Sequence, residues 1–207
     1  MLKLNELQHD ALVEIFNIGV GHAARAMSEI VNEEVTMSVP SISFVNRTTA
    51  ARMLGSGDSA RVCGISQNYK GAFAAEAILM FPEDKSLDIV RLMVGELVPL
   101  KELTEMEQEA MSEIGNIILN SCVGTLANIF GHEMSGSLPQ YHVGTGEEIL
   151  IGAVGQQDTV VLMLHIDFIL ETHQIHGYVA FILDLVALQD LQAQVDRYLA
   201  KAMGQSQ

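Results

Sequence analysis

A carboxylate, a second carboxylate one turn on and a carboxamide after that occur twice in this sequence. The first set is Asp10, Glu14 and Asn17, and the second is Glu109, Glu113 and Asn116, each residue 99 positions from its counterpart. On a helix, at about 100° per residue, positions i, i+4 and i+7 fall within roughly 60° of one another, so each set shares one face. A carboxylate beside a carboxamide is neither a strong base nor an ordinary nucleophile. An Asn can, however, accept one proton of a water and donate elsewhere, which fixes that water in place. An exposed Glu can pair with a partner's Lys. The combination suits a reaction that needs only a positioned water, with the remaining chemistry supplied by the partner. One acidic pair on a helix is ordinarily a solvated face. Here Glu and Asn recur three residues apart at one offset, and Asn is a poor helix former, which sets the pattern apart from drift.

The same offset relates Pro40 to Pro139, Leu12 to Met111, Ile15 to Ile114, Ile18 to Ile117 and Ile30 to Ile129. Two unrelated amphipathic helices would agree at apolar positions only. The agreement predicts two homologous halves, about 1–100 and 101–207, fused into a single domain over 1–207. Helical spacing of Leu7, Ala11, Leu12, Ile15, Ile18, Ala23, Met27 and Ile30 predicts a helix over 5–32 with Asn5 as its N-cap. Its copy is expected over 104–130, opening on a Thr104/Glu107 capping box and closing at Gly131. Strands are expected at 35–45 and 134–143, around the two prolines, and at 72–81, 160–170 and 178–183, the last two joined through 171–177. Short helices at 48–54, 86–94 and 146–154 and a closing helix at 184–203 complete the pattern. This predicts an α+β fold: antiparallel strands in a central layer, two long antiparallel helices on the surface, and the halves related by a pseudo-twofold rotation. Pro40 and Pro139 should then occupy equivalent strand positions.

Composition narrows the function. The chain has 207 residues, 49% hydrophobic and 18% charged, with no Trp and 11 Met, so a folded core of aliphatic residues and Met is expected. A net charge of −15 argues against nucleic acid and against anionic membrane surfaces. Cys63 and Cys122 form no CxxC, which predicts two free buried thiols and neither a disulfide framework nor a cysteine zinc site. No secretory leader and no apolar run of about 18 residues are present, so a soluble cytoplasmic protein is expected. His173 and His176 fall in an expected turn with no third ligand in sequence, and no metal site is assigned to them. His22 is expected on the surface of the first helix. No phosphate loop and no GxSxG serine context occur.

Asp or Ser, three residues, Glu, two residues, Asn and then a Pro resembles the signature of the CheC/CheX/FliY phosphatase family. It stands here as Asp10, Glu14, Asn17 and Pro40, and again as Glu109, Glu113, Asn116 and Pro139. Two copies in about 200 residues look most like the CheC branch. The resemblance implies a protein aspartyl-phosphate phosphatase, a hydrolase acting on a phosphorylated CheY-type response regulator in chemotaxis. Asn17 and Asn116 would orient the attacking water, Glu14 and Glu113 would engage the regulator's Lys, and Asp10 and Glu109 would help dock it. The logic parallels the water-positioning Gln of GTPases. No cofactor of its own is implied, because the regulator carries the Mg²⁺. The receptor deamidase CheD is a further partner that the family implies. The alternative is a non-catalytic binding module of the same fold, either a CheD-binding regulator or a flagellar-switch-type adaptor. Glu109 departs from the family's Ser or Asp, and Gly19 and Gly21 become Ile118 and Asn120 in the second copy. Both changes add bulk, so the first site is expected to dock more easily, with both Asn side chains exposed.

Overall fold

The computed structural model describes residues 4–31, 34–54, 61–94, 99–151, 159–170 and 173–204. Asn5 caps the first helix, α1 (Glu6–Val31), in a reciprocal box: Gln8 N donates to Asn5 Oδ1 and Asn5 N donates to Gln8 Oε1, both at 2.9 Å. Then come β1 (Val35–Val45), α2 (Arg47–Met53), β2 (Arg61–Lys70), β3 (Ala75–Pro82) and α3 (Glu83–Val94). The second half runs α4 (Leu100–Phe130), β4 (Ser135–Gly136), β5 (Gln140–Thr145), α5 (Gly146–Ile151), β6 (Val160–Leu170), β7 (His173–Leu183) and α6 (Leu185–Ala202). Gly131 ends α4 with φ 70°, the left-handed conformation that favours glycine. Asp184 caps α6 by accepting from Ala187 N at 2.7 Å.

The strands form one antiparallel sheet in the order β1-β6-β7-β3-β2-β4, with β5 also on β2. The expected α+β class, helices against antiparallel strands, is the one observed. Along β6, Leu162, Leu164, Ile166 and Phe168 join the large core that also holds Leu12, Ile15, Met111 and Ile114 of α1 and α4. The alternate residues Val161 and Met163 pack with Ala50 of α2 and Leu150 of α5. The sheet is therefore covered on one face by α1 and α4 and on the other, over part of its length, by α2 and α5.

Each half's first strand pairs with the other half's second strand. Ser41 opposes His165 on β1–β6, and Gln140 opposes Ser66 on β5–β2; each residue of one pair stands 99 positions from a residue of the other. The same holds for Met37 opposite Phe168 and Gly136 opposite Tyr69. Beside the prolines the two edges differ. Pro40 lies inside β1, at a register shift between Ser38 and Ser41. Pro139 lies between β4 and β5, where the corresponding edge is interrupted. Proline has no N–H for the ladder, so both positions are at sheet edges.

Several expectations needed correction. β2 was not expected: its Ser66, Gln67 and Asn68 break the apolar alternation that marks a strand. α4 starts at Leu100, after Pro99 (φ −59°, ψ 144°), one turn ahead of the expected start. Thr104 and Glu107 consequently lie inside the helix and not at its N-terminus; the Glu107 carboxylate accepts from Ser86 Oγ and, at 3.0 Å, from Tyr141 Oη. β7 begins at His173, so His176 lies inside a strand opposite Asp167 and not in a turn. Both cysteines are free and buried, and burial pushes each thiol up to about 12.

Candidate functional site

The repeated motifs lie on the two helices that pack against each other, α1 and α4. Their contact sets the space at Gly19, where a Cβ would stand 3.0 Å from Cys122 Cα. Across the same contact His22 Nδ1 lies 3.2 Å from Thr125 Oγ1. Gly19 is thus a packing residue between helices, not a concession to a docking partner. Gly21 is exposed, with open space around it. Asp10, Glu14, Glu109 and Glu113 are all exposed, as their proposed roles require. Asn17 and Asn116 are half-buried, not exposed.

The two Asn side chains have different partners. Asn17 is tied to the backbone of β1: Val39 N donates to its Oδ1 at 2.9 Å, and its Nδ2 donates to Val39 O at 3.3 Å and Val13 O at 2.9 Å. Both ends of the amide are thereby committed to the residue before Pro40. On α4 the corresponding backbone contact is absent, and the side chain of Gln67 stands in its place. Gln67 Nε2 donates to Ser137 O at 2.8 Å and to Asn116 Oδ1 at 3.2 Å. A carbonyl only accepts, so Ser137 fixes which end of Gln67 faces the helix, and Gln67 in turn fixes Asn116. Asn120 Nδ2 donates to the same Asn116 Oδ1 at 2.7 Å.

Beneath this pair, Tyr69 Oη lies 2.8 Å from Asn120 Oδ1 and 3.0 Å from Gln67 Oε1, donating its proton to these carbonyls. Burial, with a smaller contribution from Cys122, raises the Tyr69 phenol above its ordinary value, so it remains a donor. With its oxygen serving two donors, Asn116 keeps Nδ2 unbonded to any protein group among the described residues, and no buried polar side-chain atom there lacks a partner. The Asn116 amide N–H groups therefore face outward.

The surroundings differ in the same sense. Leu138, beside Pro139, is 85% exposed, whereas its counterpart Val39 is 2% exposed. A groove of about 700 Å³ runs along the second motif, lined by Met106, Glu109, Ala110, Glu113 and Pro139 among others. The depression near the first motif, about 430 Å³, includes only Asp10 of that set. Asp10 carries His9 Nδ1 at 3.6 Å. The residues that distinguish the second site, Gln67 and Tyr69, lie on the unexpected β2. Cys63, Ile65, Gln67 and Tyr69 all turn inward, and a lone amide in that series is the signal that a recognised strand would have exposed.

The model of the CheC-like family matches residues 7–44, which are most of α1 and β1. The CheY-P phosphatase CheC of Bacillus subtilis is 27% identical over 140 residues, 66% of this chain and 66% of that protein. The flagellar motor switch phosphatase FliY of Bacillus subtilis is 25% identical over 139 residues, 66% of this chain but 36% of that protein. The crystal structure of Thermotoga maritima FliY superposes with a TM-score of 0.76 at 18% identity, over 95% of this chain and 100% of that one. The FliM middle domain from H. pylori gives 0.63 at 10% identity, over 92% and 99%. The CheX-CheY-BeF3-Mg²⁺ complex from Borrelia burgdorferi gives 0.51 at 19% identity, over 83% and 97%. The resemblance read from the doubled motif is found: the chain matches the CheC-like family model at its first helix and strand, resembles CheC and FliY in sequence, and shares the FliY fold along nearly its whole length.

Proposed function

We propose that this protein accelerates hydrolysis of the aspartyl phosphate of a CheY-type response regulator in chemotaxis, and that its second motif is the stronger site. The observation that carries the reading is Asn116: its oxygen is held by Gln67 and Asn120, so its Nδ2 is aimed outward. On docking, Glu113 pairs with the regulator's Lys. With its oxygen taken by two donors, Asn116 orients the attacking water by donating from Nδ2 to the water oxygen, not by accepting its proton, or donates to a phosphoryl oxygen. Preorganised donors of this kind lower the barrier without reorganising at the moment of reaction. The regulator brings the Mg²⁺ and the in-line geometry. Glu14 and Asn17 form a weaker site, because Asn17 must first release the backbone of Val39. On this reading the two halves are homologous copies within one domain; the strand register that survives their exchange supports it. The protein works in the cytoplasm, with CheD as a second partner.

The test is phosphate release from a CheY-type regulator charged by a small phosphodonor. The wild-type chain should accelerate it, and the combined Glu14→Ala, Asn17→Ala, Glu113→Ala and Asn116→Ala variant should not. One alternative has a specific observation behind it. The FliM middle domain shares this fold at 10% identity, which suits an adaptor that binds without catalysing. An unaccelerated regulator that nonetheless binds the chain would establish that reading instead.

A further inference from the structure

On the sheet face away from α1 and α4, a second group of side chains converges. His165 and Asp167 alternate along β6 with the core residues Leu164, Ile166 and Phe168, so they point to the opposite face. His176 on β7 is the registered partner of Asp167, and Tyr178 is the partner of His165. The sequence alone could not bring these together, because it placed His176 in a turn.

We propose that His165, Asp167 and His176 form an open binding site for a divalent transition-metal ion, of which zinc and nickel are the chemical type. One ligand atom from each lies within 4.8 Å of the other two. His176 Nδ1 is 2.7 Å from Asp167 Oδ1, and His165 Nε2 is 3.8 Å from the same oxygen. Bonds of about 2.0–2.2 Å from a tetrahedral ion place its ligands about 3.3–3.6 Å apart, so small side-chain rotations complete the set. Only the His176 imidazole reaches the carboxylate within hydrogen-bonding distance; the 3.8 Å to His165 is too long for a hydrogen bond. All three residues sit on paired strands, whose register sets their backbones relative to one another. The ring of His165 is further held by stacking on Tyr178, with centroids 5.1 Å apart and planes at 20°.

Two imidazoles and one carboxylate with the remaining positions open to water select borderline ions over magnesium and calcium, which prefer all-oxygen sites. The site is independent of the helix motifs and does not rest on the phosphatase reading.

Isothermal titration of the full chain with Zn²⁺ or Ni²⁺ tests the proposal. One saturable site is expected, undisturbed by millimolar Mg²⁺. His165→Ala with His176→Ala should weaken it by at least about 10-fold, and so should Asp167→Asn, which keeps the side chain's shape. The three side chains are partly exposed, and unchanged thermal melting would confirm that the variants fold. No saturable binding by the wild-type chain would overturn the proposal. So would an affinity that survives both variants, or one that Mg²⁺ abolishes, since the ion would then be held by the acidic surface.

Discussion

Asn17 and Asn116 lie 99 positions apart, on α1 and α4, yet one closes a joint and the other leaves a hand free. Around Asn17, a backbone N–H and C=O take both ends of the amide. Around Asn116, a buried glutamine replaces that backbone, the edge strand is interrupted, and Leu138 is turned out to solvent. The lesson is that a motif specifies residue types and spacing, while the neighbouring strand decides whether those groups are available. The position that decides is residue 67: its counterpart Ile166 is fully buried and apolar and offers no donor.

Separating the two sites by mutation should give the largest effect. Glu113→Ala with Asn116→Ala is expected to remove most of the accelerated phosphate release, on the order of 10-fold or more, as when a positioned donor is lost. Glu14→Ala with Asn17→Ala should remove the smaller share. Steady-state release rates for the two double variants decide it; a greater loss from the first pair would restore the order that bulk at Glu109, Ile118 and Asn120 suggested.

Stability should rank the other way. Asn17→Ala strands a backbone N–H and C=O and should cost about 1–3 kcal/mol in urea unfolding. Asn116→Ala leaves Gln67 its bond to Ser137 and should cost under about 1 kcal/mol. Equal midpoints would mean that Asn17 is not the joint described.

Gln67→Leu probes the cause of the difference. It removes the donor that orients Asn116 while leaving Glu113 and the groove in place. The expected result is a several-fold fall in kcat, roughly 3–10-fold, with KM moved less than about twofold. A change in KM alone would make Gln67 a packing residue.

The smallest effects concern the glycines. Gly21→Ala meets open space and should stabilise α1 by about 0.5–1 kcal/mol. Gly19→Ala presses a Cβ against the α4 backbone and should destabilise by about 1 kcal/mol despite the gain in helix propensity. Activity lost in Gly21→Ala, with stability unchanged, would return that glycine to the docking surface.

Much of this was legible in the chain. Helix α1 announces itself by apolar spacing and the Asn5 cap, and α4 by the same face and Gly131. The resemblance rested on four residue types at fixed spacing, and these need no tertiary context. β2 was not legible because its inward positions include Gln67, and a buried amide reads as a loop residue until its partners are known. Those partners, Asn116 and Ser137, lie 49 and 70 residues away. The cluster of His165, Asp167 and His176 was hidden for the same reason: it exists only through the register of two strands.

The exchange of strands between halves has a consequence for synthesis. β1 leaves the ribosome before β6, the strand it pairs with among the described residues. Translation at roughly 5–20 residues per second separates the two by on the order of ten seconds. Throughout that interval β1 has an open edge, and for its first part α1 also lacks α4, the helix it packs on. Until β6 is made the β1 edge stays unpaired, so synthesis calls for shielding that edge from aggregation, and the sheet cannot close there before β6 arrives.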